Sequence, residues 1–63
     1  MDKLTRREKE ILPLVADGLT DKDIAQRLNI SHHTVKGHLQ HVFAKMGVSS
    51  RGDLIEEILK NNQ

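Results

Sequence analysis

The 63-residue sequence predicts a single all-α domain of four helices, and three observations support this. First, an aliphatic residue, then Ser or Thr, then a polar residue three places later occurs four times, which is typical of a helix N-terminus. Second, Gly18, Asn29 and Gly47, residues that tolerate the left-handed conformation, stand where three helices would end. Third, apolar residues recur with helical spacing and nowhere alternate as in a strand. The predicted helices cover residues 6–17, 21–28, 32–46 and 51–61.

The first predicted helix follows Leu4-Thr5, with Glu8 as the polar residue that completes the capping pattern. Its apolar face consists of Ile11, Leu12 and Val15. Pro13 lies within this helix, where it removes a backbone hydrogen bond at a cost of roughly 3 kcal/mol. We therefore expect a kink, or a helix in two pieces.

The second predicted helix follows Leu19-Thr20, with Asp23 in the capping pattern, and the third follows Ile30-Ser31, with Thr34. The second has an apolar face formed by Ile24, Ala25 and Leu28. In the third, the apolar residues are offset by four, seven and eleven positions, which at about 100° per residue is a narrow stripe that predicts the core. These residues are Val35, Leu39, Val42 and Met46.

The fourth predicted helix follows Val48-Ser49-Ser50 and carries a broad apolar face. Two rows, Leu54 with Ile58 and Ile55 with Leu59, span an arc of about 140°. Such an arc is wide for a domain with so little core to cover. One row could pack inward while the other meets a second copy, so the predicted dimer-interface residues are Leu54, Ile55, Ile58 and Leu59. Burial of all four in the core is the alternative.

The charge distribution indicates a partner that is a polyanion, although the formal net charge is only +1. All nine acidic residues lie outside the interval from Ile24 to Gly52. That interval contains four Lys or Arg residues and all four histidines, which suits one face that meets a nucleic acid. The chain has no cysteine and no long apolar segment, so we expect a cytoplasmic protein without disulfides, a thiolate metal site or a membrane span.

Residues 21–40 have the layout of a DNA-binding helix-turn-helix. Ala25 is small enough for a close helix crossing, Asn29 stands at the turn, and Val35 faces inward on the second helix. With the apolar stripe in the core, the opposite face is free to enter the major groove. We predict that the base-contacting residues on this face are Lys36, Gln40, His33 and Gly37.

Each predicted base contact has a chemical reason. Lysine can donate to guanine O6 and N7, glutamine pairs with adenine N6 and N7, and Gly37 leaves a gap through which the backbone approaches a thymine methyl or a phosphate. Phosphate contacts are expected from residues at helix termini. The residues predicted for this role are Thr20, Lys22, Ser31, Thr34 and Lys45.

Taken together, these segments resemble the LuxR-type helix-turn-helix domains of bacterial response regulators and quorum-sensing regulators. The matching segments are LTRREKEIL at 4–12, GLT at 18–20, IA at 24–25, LNIS at 28–31, TVK at 34–36 with His38, and KMGV at 45–48 with Ser50 and Arg51. The resemblance covers nearly the whole chain, and we expect one such domain over residues 1–63, with its helix-turn-helix motif at about 21–40. It implies a four-helix domain that binds DNA as a homodimer, with the last helix supplying much of the subunit contact and Lys36 and its neighbours reading the groove. We predict that this dimerisation is weak and assisted by DNA.

The resemblance also implies partners beyond DNA. A receiver or ligand-binding domain is often joined to such modules, so we expect an excised output domain rather than a stand-alone regulator. RNA polymerase is a further candidate partner.

Other function classes have weaker support. His38 and His41 lie three residues apart on a helix, but no cysteine or acid accompanies them, so we expect no metal site and no cofactor. No nucleophile elbow, phosphate-binding loop or HExxH motif is present, which argues against an enzyme. Two alternatives keep the fold: a helix-turn-helix used for protein contacts, and a promoter-reading domain like that of sigma factors.

Overall fold

The computed structural model describes residues 4–61 of the chain and contains four helices. Helix α1 spans Arg6–Ala16, α2 spans Asp21–Leu28, α3 spans His32–Met46 and α4 spans Arg51–Asn61. No strand occurs in this part of the chain. The all-α prediction is confirmed, and the only helix boundary that differs is the end of α1, one residue earlier than expected.

The four predicted hydroxyl residues all accept a hydrogen bond from the N–H three residues later. In α1 the capping is reciprocal, because the Thr5 N–H also donates to Glu8 Oε1 over 2.9 Å. The same reciprocal pair forms between Thr20 and Asp23 in α2. Local sequence therefore determines where each helix begins.

Three helix ends share one backbone arrangement. A residue with positive φ, Gly18, Asn29 or Gly47, follows the helix. The next residue is then aliphatic and donates its N–H to the carbonyl five residues back. These closing bonds join Leu19 to Leu14, Ile30 to Ala25 and Val48 to Phe43. Each of these aliphatic residues is half-buried against the core and directly precedes a Ser or Thr in the chain.

Helix α1 continues through Pro13, so of the two predicted outcomes, a kink or a helix in two pieces, the second does not occur. Pro13 and Lys9, the residue whose carbonyl lacks its usual i+4 donor, are both exposed. Water can therefore satisfy that carbonyl. Ile11 and Val15, on either side of the proline, are fully buried and hold the helix on the core.

The core is formed by all four helices, with α1 packed against each of the other three and α2 packed against α3. Eight apolar residues are buried: Ile11, Val15, Ile24, Ala25, Val35, Leu39, Val42 and Leu54. The predicted stripe of α3 is confirmed for its first three residues, and Met46 packs at the edge of the core. None of the helices described between residues 4 and 61 is long and apolar enough to cross a bilayer.

Leu54 requires a correction. It was predicted at a dimer interface together with three other residues of α4, but its side chain has no exposed surface in the single domain. A second copy cannot contact it without unfolding the core. Leu54 therefore faces the core, whereas Ile58, one turn later in the same row, is only half-buried.

Candidate nucleic-acid interface

The packing of α3 determines which of its side chains reach solvent. Val35 and Leu39 are 0% and 4% exposed, which turns this side of the helix into the core. Lys36 directly follows Val35, and Gln40 directly follows Leu39, so each lies about 100° around the helix from a buried residue. Both Lys36 and Gln40 are exposed. His33 is also exposed, and Gly37 lies half-exposed between them.

Lys36 and Gln40 lie on the same surface as residues from two other helices. They line a shallow concavity together with Leu39, Phe43, Asp21 and Arg51. A second concavity beside it is lined by Thr20, Asp21, Lys22 and Arg51. The two concavities therefore bring together two predicted base-contacting residues and two predicted phosphate-contacting residues. Asp21 and Arg51 line both concavities.

Arg51 was not among the predicted site residues. Its guanidinium donates from one terminal nitrogen to Asp21 Oδ1 over 2.8 Å and from the other to the Leu19 carbonyl over 2.6 Å. These two bonds tie the first residue of α4 to the segment that begins α2. The sequence offered a hint, because Arg51 is one of four Lys or Arg residues in the acid-free interval, but its neighbours in space could not be read from the chain.

The N-terminus of α3 is exposed and polar. Ser31 caps the helix and its hydroxyl lies 2.9 Å from the Thr34 hydroxyl. The rings of His32 and His33 stack with their centroids 4.4 Å apart. No acidic residue lies in the first turn, so the positive end of the helix dipole is not neutralised there.

Lys45 occupies a different position from the other predicted phosphate-contacting residues. Its Nζ lies 2.8 Å from Glu8 Oε1, so it joins the C-terminal end of α3 to the start of α1. Glu8 is the buried charged residue in the described part of the chain, with 2% exposure, and its carboxylate also accepts the Thr5 N–H. The hydrogen bond from Lys45, then the one from Thr5, holds the pKa of Glu8 below its usual value; His41, 3.9 Å away, contributes less.

The remaining α4 residues of the predicted dimer interface are accessible to different degrees. Ile55 and Ile58 are half-buried, and Leu59 is 56% exposed. Leu59 and Ile58 line an apolar groove with residues of α1 that include Leu12 and Pro13. This groove lies beyond α4's first turn, away from Arg51.

Two helices joined by a tight turn, the second with a buried apolar stripe and an exposed polar face, define a helix-turn-helix domain of the kind that transcription regulators use to bind DNA. Residues 2–58 match the family described as bacterial regulatory proteins, luxR family. The chain belongs to this family. Its members are DNA-binding transcription regulators and not enzymes, which confirms both the predicted family and the prediction that the chain is not an enzyme.

Similar proteins are regulators several times longer than this chain. A protein of Mycobacterium bovis described as an HTH-type transcriptional regulator is 50% identical over 54 residues, covering 86% of this chain and 6% of its own length. The oxygen regulatory protein NreC of Staphylococcus aureus is 46% identical over 57 residues, covering 90% of this chain and 26% of its own.

A solved structure gives the same fold. The response regulator ChrA of a heme-sensing two-component system superimposes with a TM-score of 0.89 at 37% sequence identity. The match covers 98% of this chain and 31% of that protein. It confirms the four-helix fold and places the chain among domains that response regulators carry.

The histidines form no metal site in the described residues. Between residues 4 and 61, no three His, Asp or Glu side chains gather closely enough to bind a metal ion. His38 is half-buried beside the α3 stripe, whereas His41 is exposed near Glu8.

Proposed function

We propose that the domain binds double-stranded DNA sequence-specifically, with α3 in the major groove. The observation that carries this proposal is the orientation of α3, which buries Val35 and Leu39 and leaves Lys36 and Gln40, about 100° further around the helix, exposed. Lysine suits guanine and glutamine suits adenine in that groove. His33, in the first turn, is the third proposed base contact.

Gly37 completes the proposed reading face. A Cβ atom at this position would meet no atom within 4 Å apart from its chain neighbours and the backbone of the same stretch of helix, so the surface here is open to an approaching duplex. We propose that a thymine methyl or a phosphate packs against it. Lys36 and Gln40, on either side, then supply the donors and acceptors that distinguish bases.

Backbone phosphates are proposed to bind around this face. Thr20 and Lys22 lie at the start of α2, and Ser31 and Thr34 lie at the start of α3, where free N–H groups favour anions. Lys45 is a weaker candidate, because its amino group already pairs with Glu8. We propose that Lys45 contributes chiefly by holding α3 against α1.

We further propose that two copies bind one operator through the C-terminal part of α4. Leu59 is the exposed large apolar side chain in the described residues, and Ile55 and Ile58 lie beside it. Helix-turn-helix dimers usually bind half-sites related by two-fold symmetry. The proposed operator is therefore a palindrome.

The whole protein is proposed to be a regulator in which a further domain controls this one. Its relatives include an oxygen regulatory protein of which this chain spans about a quarter of the length, and a solved response regulator of which it spans about a third. A receiver or ligand-binding domain and RNA polymerase are the proposed partners. As a regulator of bacterial DNA, the protein would act in the cytoplasm.

The proposal is tested by selecting preferred duplexes from random-sequence DNA and measuring affinity by fluorescence anisotropy. Lys36→Ala should weaken binding to the selected duplex by about 1–3 kcal/mol, and much less to a mixed-sequence duplex, because it removes a contact to base edges. Circular dichroism should show an unchanged fold, since Lys36 is exposed.

Lys60→Ala is the matched control for this test. It removes the same charge from the far end of α4, roughly 13 Å along that helix from Arg51. Its affinity should stay close to that of the parent. If Lys36→Ala also binds like the parent, or if binding is insensitive to salt, the proposed function fails and a helix-turn-helix used for protein contacts becomes the better explanation.

A further inference from the structure

We propose that Arg51, the first residue of α4, binds a backbone phosphate of the DNA through the guanidinium donors that its bonds to Asp21 and Leu19 leave free. The inference rests on the proposed DNA-binding function and adds a residue from outside the helix-turn-helix. It starts from the location of Arg51 in both surface concavities. One holds the base-facing residues Lys36 and Gln40, and the other holds Thr20 and Lys22.

The guanidinium retains free hydrogen-bonding capacity. An arginine side chain has five N–H donors in a fixed planar fork. Asp21 and the Leu19 carbonyl take one donor each, and the Arg51 side chain is 37% exposed. The remaining donors can therefore reach an anion at the surface while the two internal bonds stay in place.

Asp21 is otherwise out of place on this surface. Its carboxylate lines the same concavity as Lys36 and Gln40, where a duplex would repel it. A carboxylate paired with an arginine is largely neutralised. Arg51 lies between the side chains of Lys36 and Gln40 and the start of α2, so it is well placed to bind a phosphate between these two groups of residues.

A purely structural role for this ion pair makes a different prediction. If the ion pair only holds α4 against α2, loss of either partner should change DNA affinity in the same direction and thermal stability in the same direction. If Arg51 also binds phosphate, loss of Arg51 and loss of the Asp21 charge should have different effects on DNA affinity. Removing Arg51 takes a cation from the interface, whereas removing the charge of Asp21 takes away an anion that repels the duplex.

The test uses Arg51→Met, Arg51→Lys and Asp21→Asn, with Lys60→Met as the control for loss of one positive charge. Affinity is measured between 50 and 200 mM salt on two duplexes, one with a single half-site and one of mixed sequence. The single half-site ensures that dimerisation does not contribute to the measured affinity. Thermal unfolding is measured for every variant. Binding is compared at a temperature where all variants are folded.

Arg51→Met should weaken binding to both duplexes alike, because a phosphate contact is independent of sequence. The slope of log affinity against log salt should fall by about 0.9, so the affinity ratio of parent to variant should shrink roughly threefold from 50 to 200 mM. Arg51→Lys should keep the slope. Asp21→Asn should bind more tightly than the parent although it is less stable to heat.

Two results would overturn the inference. One is an unchanged salt slope for Arg51→Met, and the other is a loss of affinity in Asp21→Asn that matches the loss in Arg51→Met. If Lys36→Ala still weakens binding to the selected duplex, only the role of Arg51 is refuted. If Lys36→Ala is also without effect, the proposed DNA-binding function fails as well.

Discussion

At the residue scale, Glu8 links local and long-range structure. Its carboxylate accepts the Thr5 N–H within the first turn of α1 and the Lys45 ammonium from the end of α3. A buried carboxylate without such partners would be strongly unfavourable. With these partners, Glu8 anchors α3 to the start of α1.

Glu8→Gln should lower the free energy of unfolding by about 1–3 kcal/mol, because the amide keeps the cap only in part and loses the charge-assisted bond to Lys45. Urea unfolding followed by circular dichroism measures this. Glu10→Gln is the control on the same helix, since Glu10 is exposed and its partner among the described residues is Arg7 at the surface. It should change stability by less than about 0.5 kcal/mol.

The same carboxylate makes stability depend on pH. Because the pKa of Glu8 is lower in the folded domain than in the unfolded chain, protonation of Glu8 favours unfolding. Its contribution is complete above the unfolded value of about 4.3 and is lost as pH falls through the lowered folded-state pKa. Stability of Glu8→Gln should therefore fall less than that of the parent below this pH; parallel curves would contradict the assignment.

Glu8 also shows how far sequence alone reaches at this scale. Its cap was predicted because Thr5 is three residues away and the pattern is local. Its partner Lys45 is 37 positions along the chain, and no spacing rule connects the two. The same limit applied to Leu54, since helical periodicity defines an apolar arc but not which row of it meets the core.

At the element scale, the helix boundaries are encoded twice. Leu19, Ile30 and Val48 each close the preceding helix through a backbone bond and pack on the core. The hydroxyl that caps the next helix belongs to the following residue at Leu19 and Ile30, and to Ser50, two residues on, at Val48. Because the two signals lie within two residues of each other, the turns are short and the boundaries were predictable from sequence almost to the residue.

Pro13 is the element-scale exception, and it yields a prediction. Pro13→Ala restores an N–H to the Lys9 carbonyl within α1. The gain of roughly 3 kcal/mol for removing a mid-helix proline is offset by about 1 kcal/mol of added entropy in the unfolded chain. We expect the free energy of unfolding to rise by about 1–2 kcal/mol, measured by urea denaturation.

Lys9→Ala serves as the control, because it changes an exposed residue of the same helix without adding a backbone donor. Its effect should stay within about 0.5 kcal/mol. If Pro13→Ala is less stable than the parent, the packing of the proline ring in the groove between α1 and α4 contributes more than the hydrogen bond that alanine restores.

At the scale of the whole molecule, α4 has different surroundings at its two ends. Its first residue, Arg51, lies beside the proposed reading face, and Leu59, two turns later, lies at the apolar groove. The fold and the exposure of Lys36 and Gln40 could be predicted from the chain, because both follow from the periodicity of single helices. The position of Arg51 depends on how α4 meets α2, which only the tertiary structure reveals.

Assembly on DNA can be tested at the apolar end of α4. Three aliphatic side chains bury far less than the roughly 800 Å² per partner of a stable interface, so we expect monomers in free solution. On a duplex with two half-sites, the partner's effective concentration reaches the millimolar range, and a weak contact then gives cooperativity. Leu59→Glu should abolish that cooperativity while leaving binding to a single half-site unchanged, because Leu59 is 56% exposed and outside the core.

Sedimentation velocity with the two-half-site duplex provides the measurement. The parent should move from free duplex to a complex with two domains without a populated intermediate, whereas Leu59→Glu should populate the complex with one domain. Asn61→Glu adds the same charge to the same end of α4 and should retain cooperativity, since it removes no apolar surface. One parent domain per duplex at saturation would refute the proposed dimer, because two half-sites held by touching partners must fill together.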